Sequence, residues 1–187
     1  MCWILRLVLL GSLCWNSSVL IAAGPEPAKF KASREKAITF LKNSQNADGT
    51  WTFSEAAGIS ALVTSALIES GVPVTNPTIE KALKKLVTFC QEDGRICSAR
   101  SSHSGYETAV ALMALQNANQ SGKYTAQIKK ADRFLRGLQF DESKDMKPSD
   151  LEYGGVGYGP DKGRPDLSNT VFMIEALKAA GAKSDDP

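Results

Sequence analysis

A chain of 187 residues, 43% hydrophobic and 22% charged, is long enough for one domain with a sizeable core. Its formal net charge is +2, with both signs mixed along the chain and no arginine–lysine block, which argues against nucleic acid or an anionic membrane surface as a partner. The chain has a single histidine and no CxxC spacing, so neither a metal site nor a cofactor is expected.

Residues 1–23 read as a secretory signal peptide. Arg6 precedes an apolar stretch from Leu7 to Trp15, and the small residues Ala22, Ala23 and Gly24 close the segment. Its longest apolar run is short for a spanning helix, which needs about 20 residues. An uncleaved anchor is the alternative. The expected location is therefore secreted or periplasmic. Pro25 and Pro27 make a stiff exit, and residues 24–187 are expected to form one repeat domain.

Internal similarity organises that domain. Phe40-Leu41-Lys42-Asn43-Ser44-Gln45 returns as Leu86-Val87-Thr88-Phe89-Cys90-Gln91 and again as Phe134-Leu135-Arg136-Gly137-Leu138-Gln139. Repeats at about 30–76, 77–124 and 125–187 follow. Each frame closes a helical pattern; in the second, Ile79, Ala82, Leu83, Leu86, Val87 and Cys90 fall on one apolar stripe, with Lys81, Lys84 and Lys85 opposite. A second helix is expected in each repeat, over about 58–70, 106–118 and 167–180, and these are apolar almost all round. The second helices therefore belong inside and the first outside. Ser60, Thr108 and Thr170 take matching N-terminal places, where hydroxyl oxygens accept free helix amides. Gly71 and Gly181 suit the left-handed position past a helix end. The fold class is all-α, built from helical hairpins.

Phe40-Leu41, Gln45, Gly49 and Trp51 are spaced as in the QW repeat, and the chain resembles the squalene cyclases and, more loosely, the protein prenyltransferases (prenyltransferase and squalene oxidase repeat proteins). The resemblance covers the chain from Ala32 onward and implies an α/α toroid, of which about three hairpins make part of an (α/α)6 barrel. It also implies a structural role for the glutamine, which holds the start of a neighbouring helix, and for the tryptophan stacked beside it. Gln45, Trp51, Gln91 and Gln139 are thus expected to be clamps. In the second copy Gly94 comes one residue early and Ile96 replaces the tryptophan; in the third a long loop interrupts the spacing.

The family's catalytic parts are missing. Squalene-type cyclases protonate an alkene with an aspartic acid of a D-x-D-D-T motif, and the matching stretch here is Asp166-Leu167-Ser168-Asn169-Thr170. Ser168 and Asn169 stand where the acids belong, and Asp166 reads as a helix cap, a weak catalytic candidate. Zinc-ligand spacing of the prenyltransferase kind fails around Cys97 and His103, and the complement-type Gly-Cys-Gly-Glu-Gln signature is absent. Cys90 and Cys97 are either a disulfide or two free thiols. His103 reads as a solvent-exposed loop residue.

The loop from Phe140 to Pro165 carries Asp141, Glu142, Asp145, Asp150, Glu152 and Asp161, then glycines between Tyr153 and Tyr158. These glycines either let the backbone approach a ligand at the cavity mouth or make turns in a tethered surface loop. Tyr106, Glu107, Tyr153, Tyr158 and Asn169 are the residues expected to face a ligand. Asp185-Asp186-Pro187 resembles a linker into a fourth repeat, so the chain is expected to be a piece of a longer toroid, or half of a dimeric one. Two functions compete. One is an exported, non-catalytic repeat protein that binds a hydrophobic, isoprenoid-like ligand or a protein partner on its inner face. The other is a fragment of an isoprenoid enzyme.

Overall fold

The structure, a computed structural model, describes residues 24, 26–160, 164–183 and 185–186. The expected signal peptide lies outside the described residues. Among these residues six α-helices follow one another: α1 (Pro27–Asn43), α2 (Ala57–Glu69), α3 (Pro77–Val87), α4 (Ser104–Asn117), α5 (Thr125–Arg136) and α6 (Leu167–Ala179). The described residues contain no strand, and none of their helices is long and apolar enough to cross a membrane. The protein is all-α.

The helices form two layers. α2, α4 and α6 lie side by side, α4 packed between the other two, while α3 packs on α2 and α5 on α4. Burial explains the division. α3 and α5 each bury one stripe, Ile79, Ala82, Leu83 and Leu86 in the first and Ile128, Ala131 and Leu135 in the second, and leave Lys81, Lys84, Lys129 and Lys130 in water. α4 buries nine of its fourteen residues, as a helix covered on most sides must. Local chemistry sets the ends. Asn76 accepts the Thr78 amide at 3.1 Å, with Pro77 in the first turn of α3. Gly71 and Gly181, with φ of 89° and 105°, close α2 and α6 in the same way: the next residues, Val72 and Ala182, reach back to the carbonyls of Leu67 and Leu177.

The loops joining the layers repeat more faithfully than the helices. Gly49, Gly94 and Gly154 all adopt positive φ (94°, 98° and 80°). Around each, one backbone bond closes the turn: Asn46 N–H to the Thr50 carbonyl, Gln91 N–H to Arg95, and Phe140 N–H to Gly155, at 2.8–2.9 Å. Two residues past each glycine sits a buried apolar residue: Trp51, Ile96 or Val156. Its backbone N–H donates to Ser60, Thr108 or Thr170 respectively, at 3.2, 2.9 and 3.1 Å.

Three expectations change here. Ser60, Thr108 and Thr170 do not cap their own helices; they lie one turn inside and hold the incoming loop. Gln91 occupies the place of Asn46 rather than Gln45, because the turn glycines are 45 residues apart and the glutamines 46; Cys90 stands in the glutamine's place. The third copy keeps the frame despite its insertion. Residues 141–153 are an excursion pinched off by paired bonds between Phe140 and Gly154–Gly155.

α1 departs from the outer-helix pattern, since it buries no residue. α3 and α5 are each covered by the inner helix of the repeat before them, and no described helix precedes α1.

Replacing Thr108 with valine keeps the shape of the side chain and strands the buried Ile96 amide. Unfolding in urea should show a loss of about 1–3 kcal/mol, with Thr108→Ser close to the parent. A Thr108→Val protein as stable as the parent would remove this bond from the account of the fold.

Candidate functional site

The N-terminal ends of α2, α4 and α6 border an open groove of about 560 Å³. α2 contributes Gly58 and Ile59, with Phe53 and Glu55 from the loop before it. α4 contributes Tyr106 and Glu107, preceded by Arg100 and His103, and α6 contributes Ser168, Asn169 and Phe172. Helix packing explains why they meet. Gly58 touches α4 so closely that a β-carbon there would stand 3.1 Å from Glu107 Cγ. Tyr106 and Phe172 meet edge to face with centroids 5.1 Å apart, which joins α4 to α6.

Glu107, Tyr158 and Asn169 are each tied to neighbouring segments at this groove. Glu107 accepts the Ser101 hydroxyl at 2.8 Å and the Ser98 amide at 3.4 Å, so its carboxylate organises the 98–103 loop. Burial, and secondarily the Glu107 charge, raise the Tyr106 phenol above its usual pKa, which keeps it a neutral donor at physiological pH. Tyr158 reaches the groove from the long loop: its carbonyl accepts the Gly105 amide at 2.8 Å, and its ring meets His103 edge to face at 4.9 Å. The neighbouring Gly159 packs on Ser104, where a β-carbon would stand 2.7 Å from the hydroxyl. This end of the loop is thus built into the groove wall.

Tyr153 is not part of the groove; its hydroxyl donates to Glu142 within the loop's excursion, at 2.9 Å. Asp166 caps α6. Its Oδ1 accepts both the Asn169 amide and the Asn169 side-chain nitrogen at 2.9 Å. The cap holds the buried Asn169 beside the groove, with Ser168 next to it.

No protein-family model matches this chain, and no curated protein matches it. The geometry therefore carries the functional argument.

The glutamines and the tryptophan lie away from the groove and tie segments together. Gln45 donates to the Gly49 carbonyl at 3.2 Å and across to Thr78, in the first turn of α3, at 2.9 Å. Trp51 is buried, and its indole N–H donates to the Leu41 carbonyl at 2.8 Å. Gln91 donates to the Cys97 carbonyl and sulfur, and Gln139 to the Gly154 carbonyl at 3.3 Å. Cys90 and Cys97 are separate thiols, Cys90 directed at the Leu86 carbonyl in the last turn of α3. Four groove residues, Phe53, Ile59, Arg100 and Phe172, carry no functional signal in the sequence. Periodicity marks Phe172 and Ile59 only as core-type residues, and Phe53 and Arg100 belong to loops.

Burial, followed by the Glu107 charge, pushes the Cys97 thiol up to about 11. At pH 8 its thiolate fraction is about a hundredfold below that of a free cysteine. Timed alkylation with iodoacetamide, read by peptide mapping, should therefore find Cys97 inert in the folded protein and reactive after denaturation. Rapid labelling of the folded form would contradict the placement.

Proposed function

We propose that this chain is an exported, non-catalytic repeat protein of the α/α-toroid class, related to the squalene cyclases and protein prenyltransferases, and that its groove binds a hydrophobic ligand of isoprenoid type. The observation that carries the reading is the groove itself, an aromatic-walled site whose acid positions hold neutral residues. Phe53, Ile59, Tyr106 and Phe172 offer apolar surface of the kind that takes up hydrocarbon. Its volume falls within the roughly 300–1,000 Å³ typical of ligand sites. Ser168 and Asn169 supply hydrogen bonds there but no proton strong enough for an alkene. Asp166 engages one oxygen, Oδ1, in the cap, and Glu107 engages both of its own on the adjoining loop. The three helix N-termini give the rim a partial positive character, which favours a ligand with a polar or anionic end.

The toroid relationship is supported by the two-layer packing and by the recurrence of the turn-glycine frame three times. Export rests on the sequence of residues 1–23.

Calorimetric titration with farnesol and with farnesyl diphosphate tests the proposal. Binding is expected, weakened about tenfold, or ~1.4 kcal/mol, by Phe172→Ala and by Tyr106→Ala, and little changed by Tyr106→Phe. Absence of binding, or binding indifferent to both alanine variants, would remove the ligand from the groove. Turnover of squalene or a prenyl diphosphate that disappears in Asp166→Ala would establish the enzyme reading instead.

A further inference from the structure

Among the described residues the inner row of helices has two open ends, and each carries apolar side chains where its counterparts are buried. The hydroxyls at 60, 108 and 170 set the register. In that register Val171 and Ile174 of α6 correspond to Ala61 and Thr64 of α2 and to Ala109 and Leu112 of α4. The four counterparts are at most 1% exposed, whereas Val171 is 57% and Ile174 46% exposed. On the opposite side of the row, Leu62 and Ala66 of α2 correspond to Val110 and Ala114 of α4. Both α4 residues are buried, and both α2 residues are exposed.

The outer layer shows the same break. Counting back nine residues from the turn positions Asn46, Gln91 and Phe140 gives Ala37, Ala82 and Ala131; counting back five gives Leu41, Leu86 and Leu135. The residue types are identical in all three repeats. Ala82, Ala131, Leu86 and Leu135 are buried, while Ala37 is exposed and Leu41 half-buried.

These bare surfaces are the two halves of an interface that the chain already makes twice. α3 and α4 together cover the far side of α2, and α5 and α6 cover the far side of α4. α1 and α2 form the third such pair, and among the described residues they have no helix to cover. The far side of α6 is the third such surface, and no described pair lies upon it. Gln139 marks the vacancy independently. It holds the Gly154 carbonyl as Gln45 holds Gly49, but Gln45 also grips the first turn of the incoming helix through Thr78, and Gln139 makes no such bond among the described residues. The frame places Ser33 of a second copy at the position of Thr78.

We propose that the protein self-associates head to tail, the α1–α2 pair of one copy seated on α6 of the next as α3–α4 is seated on α2. The join uses different surfaces on the two copies, so it closes into a ring or runs on as a chain, according to the angle at each join.

Light scattering of the chain over a concentration series should show a mass of two or more copies, falling on dilution. Leu62→Glu spoils the α2 side and Val171→Glu the α6 side; both residues are already partly in water, so each variant should keep its helical circular dichroism and become monomeric, with association weakened more than tenfold. Ile174→Lys provides a second α6-side variant. Mixing Leu62→Glu with Val171→Glu leaves one good surface on each, and a species of two chains should reappear. A parent that stays monomeric at every concentration, folded variants that still associate, or a mixture that remains monomeric would each overturn the proposal.

Discussion

A buried peptide N–H that must find an acceptor governs this architecture. Each repeat turns a loop inward so that one apolar residue enters the core, and the backbone of that residue goes in with it. Unpaired, such an amide costs about 1–3 kcal/mol, enough to matter to a small domain. The protein solves the problem three times with a hydroxyl one turn inside the next inner helix. That single bond fixes how far the loop penetrates, where the helix starts, and which residues of the helix face its neighbours. The side chain varies freely from Trp51 to Ile96 to Val156, because the bond is made by the backbone.

The same constraint explains which features are legible in residue order. Helix number, the two-layer division and the glycine stops depend on local periodicity and on φ, both of which leave direct traces in residue type. Gln91 shows the opposite case. A glutamine at nearly the right spacing attracts the alignment, but the turn is defined by its glycine and by the carbonyl that closes it, and these place Cys90 where Gln45 stands. Likewise the hydroxyls at 60, 108 and 170 align in sequence without disclosing their partners, since a hydroxyl near a helix start looks the same whether it serves its own helix or a distant loop. The third turn is hidden by the excursion of 141–153, which is pinched off by bonds that spacing alone does not reveal.

The groove is half legible. Tyr106, Glu107, Tyr158 and Asn169 sit at helix starts or among loop glycines, where polar or aromatic residues invite a functional reading, and they converge. Tyr153 shares the glycine-rich segment but falls on the far side of the pinch, bonded to Glu142. Phe53, Ile59 and Phe172 give the groove its apolar character only because three helix starts lie together, and that proximity is a product of the packed row. Asp166 shows how a motif can persist in outline while its chemistry changes, since its carboxylate orients a buried asparagine and begins a helix.

The turn glycines carry a consequence for how such a chain can change over generations. A β-carbon on Gly49 would stand 2.6 Å from the carbonyl oxygen of Lys81 in α3, and one on Gly94 would stand 2.3 Å from that of Lys130 in α5. Neighbouring units therefore meet main chain to main chain, where no side chain can yield to absorb a shift. Sliding one unit past another by a residue is barred, and so is drift of a single helix. The excursion between Phe140 and Gly154 bulges out at a turn without such a contact, since a β-carbon on Gly154 would meet only Gln139 Nε2, at 3.8 Å. Growth or loss of the array is then confined to whole hairpins, duplicated or deleted with their turn, which leaves every surviving junction as it was.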